Sequence, residues 1–128
     1  NLTPKNMNFR RLQKSFRDAW RGVEYVYKYE QNFKIQLFFG ILIIILMMAL
    51  QLRKSEMVVI LLLILLVLIL ELLNSALEKF LDILKPRMHL QAALVKDILA
   101  AMVLSASIGS ILIGSLIFFP YITTIFLN

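Results

Sequence analysis

The stretch MVVILLLILLVLILELLNSALE, residues 57–78, decides the fold. Its first part, Met57 to Leu70, is wholly apolar; Glu71 and Asn74 then interrupt it. A helix needs about 20 apolar residues to cross a bilayer core. A backbone in lipid must also satisfy its own hydrogen bonds, which favours a helix. The spacing therefore predicts a transmembrane helix over residues 57–77. Two further runs have the same character. Residues 35–52 contain no charge and lie between Lys34 and Arg53, and residues 98–119 stop at Pro120.

Upstream, the period changes. Over residues 6–29, Phe9, Leu12, Phe16, Trp20, Val23 and Tyr27 recur at steps of three and four. Arg10, Lys14, Arg17, Arg21 and Lys28 fall on another face. A basic, aromatic-rich amphipathic helix of this kind lies in a membrane interface. Packing on a protein core is the alternative, and the three spans that follow favour the interface. The chain is expected to be an all-α membrane protein, one integral-membrane domain over residues 1–128, with a surface helix and three transmembrane helices.

Composition supports this class. The 128 residues are 60% apolar, with a mean hydropathy of +0.81. The absence of cysteine excludes disulfides and thiolate metal sites. No cleavable signal is expected, because the polar, basic start is not followed by a short apolar stretch with a small-residue cleavage site. The net charge of +6 points to anionic lipid headgroups before nucleic acid in so apolar a chain.

The basic residues set an expected orientation. Of fourteen Lys and Arg, eight lie in residues 1–34, two in the first loop, and four between the second and third spans. With three spans, the first and last of these groups share a side. The positive-inside rule makes that side cytoplasmic and puts the C-terminus outside. Ala101, Ser105 and Gly109 repeat at four-residue steps on the third span, a spacing that lets helices approach closely within or between chains.

Glu71, Asn74, Glu78 and Asp82 follow one another at steps of three, four and four, so they share one helix face. A charge at the centre of a membrane helix costs about 3 kcal/mol or more, and such residues usually serve function. Glu30, Asn32, Lys34 and Gln36 fall at the same level where the first span enters the membrane. Lys96 and Asp97 begin the third span, and Arg87 and His89 lie in the loop before it. Carboxylates can hold Mg²⁺ beside nucleotide phosphates, Lys and Arg can neutralise those phosphates, and a positioned Glu can act as general base. These are the parts of a phosphoryl-transfer site. Spacing alone leaves a second reading open, in which Glu71 and Asn74 join helices and the other charges form a solvated rim. It also leaves open a small transporter or structural membrane protein that uses Glu71 as an ion or proton site. The single histidine excludes a His cluster, and the scattered Gly22, Gly40, Gly109 and Gly114 form no phosphate-binding loop. No soluble-kinase signature is present either.

The run Glu71-Leu-Leu-Asn-Ser-Ala-Leu-Glu78, followed by Asp82, His89 and Lys96-Asp97, resembles the prokaryotic diacylglycerol kinase family, which includes undecaprenol kinases. The resemblance continues through Arg11, Lys14, Trp20, Gly22, Glu30 and Asn32-Phe33-Lys34 and covers nearly the whole chain. It implies a homotrimer of three-span subunits in the bacterial inner membrane, phosphorylating a membrane lipid alcohol with ATP and Mg²⁺. It implies Glu71 as the general base with Asn74 beside it, and Glu30 and Glu78 as the carboxylates that hold Mg²⁺ with ATP. Arg11, Asp18, Arg87, Met88, His89, Lys96 and Asp97 match positions around the nucleotide. The stretches from Ser15 to Trp20, Glu24 to Tyr27 and Asn32 to Gln36 match the lipid path. Arg11, Lys14, Ser15, Trp20, Asn32, Lys34, Gln36, Glu71 and Ala100 are the expected lipid contacts. Three features depart from the family pattern. The run Ile98-Leu-Ala-Ala-Met-Val103 is bulkier than usual, Met88 stands where an aromatic is common, and Gln36 replaces the His or Glu found in the two branches.

Overall fold

The computed structural model describes residues 8–87 and 89–127. Four α-helices follow one another: α1 (Phe9–Tyr29), α2 (Gln31–Ala49), α3 (Lys54–Leu84) and α4 (His89–Leu127). Three of them, α2, α3 and α4, are long and apolar enough to cross a membrane.

The Asn8 side chain caps α1, accepting a hydrogen bond from the Arg10 N–H at 3.1 Å. Phe16 and Trp20 on the apolar face are 71% and 68% exposed. Among the described residues that face finds no cover. One residue, Glu30, separates α1 from α2; its backbone is extended at φ −108°, ψ 108°, and its N–H still bonds to the Val26 carbonyl at 2.8 Å.

Phe33, Gly40 and Met47 are the buried residues of α2, seven apart and therefore on one face. At Gly40 the helices come close: a Cβ there would meet Ile64 Cγ2 at 3.1 Å. Small residues allow such crossings in lipid, where packing rather than exclusion of water holds helices together. A Schellman motif ends α2. The Leu52 N–H bonds to the Met47 carbonyl and the Gln51 N–H to that of Met48. Gln51 takes the left-handed position at φ 53°, and Leu52 packs on Met47.

Both long helices run beyond the apolar stretches that announce them. At 1.5 Å per residue, the 31 residues of α3 extend about 46 Å and the 39 of α4 about 58 Å. The hydrocarbon core is only about 30 Å thick. Pro120 does not stop the last helix, which continues to Leu127. The Thr123 and Thr124 hydroxyls donate to the Pro120 carbonyl at 3.0 and 2.8 Å, the back-bonding that Ser and Thr make to carbonyls three or four residues earlier.

Two apolar clusters lock the bundle. Met47, Leu52, Ile60 and Phe118 form one near the α2–α3 turn. Leu81, Ala92 and Leu99 form the other near the α3–α4 connection, with Leu77 packed against it. Glu71 and Ser75 lie between the two along α3.

Candidate active site at the Glu71 level

Glu71 is 2% exposed and Ser75, one turn on, is 3% exposed; they are the buried polar residues of the described chain. Burying a carboxyl in this way is costly unless something answers it. Gln36, from α2, lies within interaction reach of the Glu71 carboxyl, and Glu30 and Glu78 are close enough to act on its charge. The α1–α2 junction, α2 and α3 therefore converge on one point. Asn74 Nδ2 donates to Glu78 Oε1 at 3.3 Å, a bond that the four-residue step allows.

The next turns carry charge. Lys96 of α4 donates to Asp82 of α3 at 2.7 Å. Lys96 also lies near enough to Glu78 to interact with it. A lysine is thus held at the edge of the carboxylate group. Lys79 sits 4.8 Å from the centre of the Tyr25 ring, which ties α3 to α1. Lys34 is similarly 5.6 Å from the Tyr27 ring.

The expected site residues divide by whether the fold gathers them. Glu30, Gln36, Glu71, Asn74, Glu78 and Lys96 share the level just described. Arg87, His89, Asp97 and Ala100 are exposed along the end of α3 and the start of α4. Arg11, Lys14, Ser15, Asp18 and Trp20 are exposed on the first half of α1, and Ser15 Oγ donates back to the Arg11 carbonyl at 3.0 Å. Asn32 is exposed at the start of α2. Met88 lies outside the described residues. Ser75 was not among the residues expected from sequence, although its four-residue step from Glu71 placed it on the same face.

Several polar atoms here are left without partners. Among the described residues, Gln36 Oε1, Asn74 Oδ1 and Ser75 Oγ are buried with no hydrogen bond, as is Ser110 Oγ farther along α4. Buried polar groups in folded proteins are normally satisfied, so three at one level mark a place built to meet something else. A lateral groove of about 740 Å³ begins at Gln36 and runs along Phe39, Ile64, Val67, Ser110 and Phe118, without reaching Asn74 or Ser75.

The donor set limits what metal could be held. Among the described residues no three His, Asp or Glu side chains cluster to enclose an ion. Glu30 and Glu78 supply hard carboxylate oxygens near Glu71. Two such donors suit Mg²⁺, which keeps water and phosphate oxygens in its other positions. The residues fit an ion that arrives with a phosphate, not one caged by protein alone.

Residues 17–118 match the family model described as prokaryotic diacylglycerol kinase. A diacylglycerol kinase of Synechocystis sp. is 36% identical over 107 residues, which cover 83% of this chain. The chain spans 61% of that relative's length. No solved structure matches.

Proposed function

The chain belongs to the prokaryotic diacylglycerol kinase family, and on that premise we propose that it is a lipid kinase, moving the γ-phosphoryl group of ATP to the hydroxyl of a membrane lipid alcohol. The observation that carries this reading is Glu71: a carboxyl 2% exposed in an apolar helix, with Glu30 and Glu78 near it. Family membership favours phosphoryl transfer over ion or proton transport.

In this reading Glu71 accepts the proton of the lipid hydroxyl as that oxygen attacks the γ-phosphorus and the bond to the bridging oxygen breaks, releasing ADP. Asn74 stands beside it and fixes Glu78 through the 3.3 Å bond. Glu30 and Glu78 hold Mg²⁺, which supplies charge neutralisation to the phosphates when bound. Lys96, steadied by Asp82 at 2.7 Å, offers a cation to the same phosphates. Arg11, Asp18, Arg87, Met88, His89 and Asp97 surround the nucleotide. Lys14, Ser15, Trp20, Asn32, Lys34, Gln36 and Ala100 line the lipid approach.

The acceptor is diacylglycerol or undecaprenol. The enzyme works as a homotrimer in the bacterial inner membrane, with the N-terminus and active-site level cytoplasmic. The small residues Ala101, Ser105 and Gly109 support close helix association, and the twelve-to-two split of basic residues supports the orientation. Purified protein in lipid vesicles, given labelled ATP, Mg²⁺ and either alcohol, should place label in the organic phase. No label with either lipid refutes the reading; the preferred alcohol names the substrate. Native mass spectrometry in detergent should give three copies, and a monomer at full activity would remove the trimer.

A further inference from the structure

The buried hydroxyl of Ser75 has no role in the mechanism above. It is 3% exposed, and its oxygen finds no hydrogen-bond partner among the described residues. A serine inside a helix commonly bonds back to the carbonyl four residues earlier; Ser75 does not. An unsatisfied buried hydroxyl costs stability, and removing one usually relieves that cost. Alanine would avoid that cost, and what sets Ser75 apart from the equally unpartnered Ser110 is its place beside the buried carboxyl.

Its position points to what that is. Side chains four apart on a helix are neighbours, and each leans toward the helix N-terminus. The residue four before Ser75 is Glu71, the other buried polar side chain. From the neighbouring helix, Gln36 of α2 reaches the same carboxyl while its own Oε1 stays unpartnered. Glu71 is therefore approached by a hydroxyl from its own helix and an amide from the next.

We propose that Ser75 is a positioning residue for Glu71: when the acceptor lipid docks, the Ser75 hydroxyl turns about χ1 and donates to one carboxylate oxygen. The other oxygen is then aimed at the lipid hydroxyl. Gln36 steadies the carboxylate from the neighbouring helix. A hydroxyl free in the resting chain can make this bond without first breaking another. The inference rests on the lipid kinase reading and adds a residue to it.

The test is Ser75→Ala and Ser75→Thr in the vesicle assay, beside the wild type. Ser75→Ala should lower kcat about tenfold, the loss expected for one hydrogen bond of about 1.4 kcal/mol. KM for ATP and for the lipid should stay within about twofold, since binding is not what the bond serves. Thermal stability should be unchanged or higher. Ser75→Thr keeps the hydroxyl and should recover most of kcat. The inference is overturned if Ser75→Ala turns over within about twofold of wild type. It is equally overturned if its loss appears in KM, or comes with lowered stability. Ser75→Ala decides alone should the added methyl of Thr prevent assembly. No wild-type turnover on either alcohol overturns the kinase reading and this inference together. Normal wild-type turnover with an unaffected Ser75→Ala removes only the inference.

Discussion

The two ends of the bundle treat polar groups in opposite ways. At the α2–α3 turn, the Arg53 N–H is accepted by Glu56 Oε1 and by the Tyr121 hydroxyl, both at 3.3 Å. Tyr121 in turn donates to Glu56. The three groups satisfy one another and tie α4 to the turn across more than sixty residues of sequence. At the Glu71 level, Gln36, Asn74 and Ser75 each keep a buried polar atom without a partner. One end is a finished clasp, and the other holds open valences. A closed network stabilises the fold; an open one is stable only because the rest of the fold tolerates it.

The contrast is put to its hardest trial at the open end. Glu71→Gln should reduce lipid phosphorylation by at least about a hundredfold, as expected for loss of a general base. The protein should remain folded and membrane-inserted; near-normal turnover would remove Glu71 from the mechanism. Next come Glu30→Gln and Glu78→Gln. Each should raise the Mg²⁺ concentration needed for half-maximal rate, by about tenfold for the loss of one carboxylate ligand. A magnesium titration unchanged in both variants would end the metal assignment.

The clasp should answer to stability instead of rate. Tyr121→Phe deletes the hydroxyl that links Arg53 and Glu56, and the unfolding midpoint should fall by about 3–5 °C. Turnover per folded enzyme should hold, and a selective loss of kcat would show that the two ends are not separate in function. The smallest effect runs the other way. Gln51 holds a left-handed conformation at φ 53°, which glycine adopts without a Cβ clash. Gln51→Gly should raise stability by up to about 1 kcal/mol; a decrease would mean that the Gln51 side chain itself supports the turn.

The spans were legible because an unbroken apolar run near 20 residues long suits a bilayer and little else. The amphipathic period of α1 was equally plain. Helix ends were less so: α3 continues past residue 77 to Leu84 and α4 begins at His89. Those extensions mix charged residues with apolar ones such as Leu81 and Ala92, and hydropathy reads the membrane rather than the helix. Pro120 reads as a stop, yet lipid surroundings leave no water to reward a broken helix. The stripe Glu71-Asn74-Glu78 could be drawn from its spacing. The link from Lys96 to Asp82 and the approach of Gln36 to Glu71 could not, because they depend on how α2 and α4 cross α3. The bond from Tyr121 to Glu56 had no sequence signal. Ser75 was hidden by its ordinariness, since a small polar residue in a helix draws notice only once its burial is known.

Glu30 also has a mechanical side. It is the one residue between α1 and α2, so there is no slack chain to absorb movement of the surface helix. The 21 residues of α1 form a lever about 31 Å long. A displacement of about 1 Å at its free tip becomes a rotation of about 2° at the pivot, by the helix length alone. That pivot carries one of the carboxylates beside Glu71. In the proposed surface position of α1, a movement of the headgroup layer would reach the geometry around the buried carboxyl through this pivot.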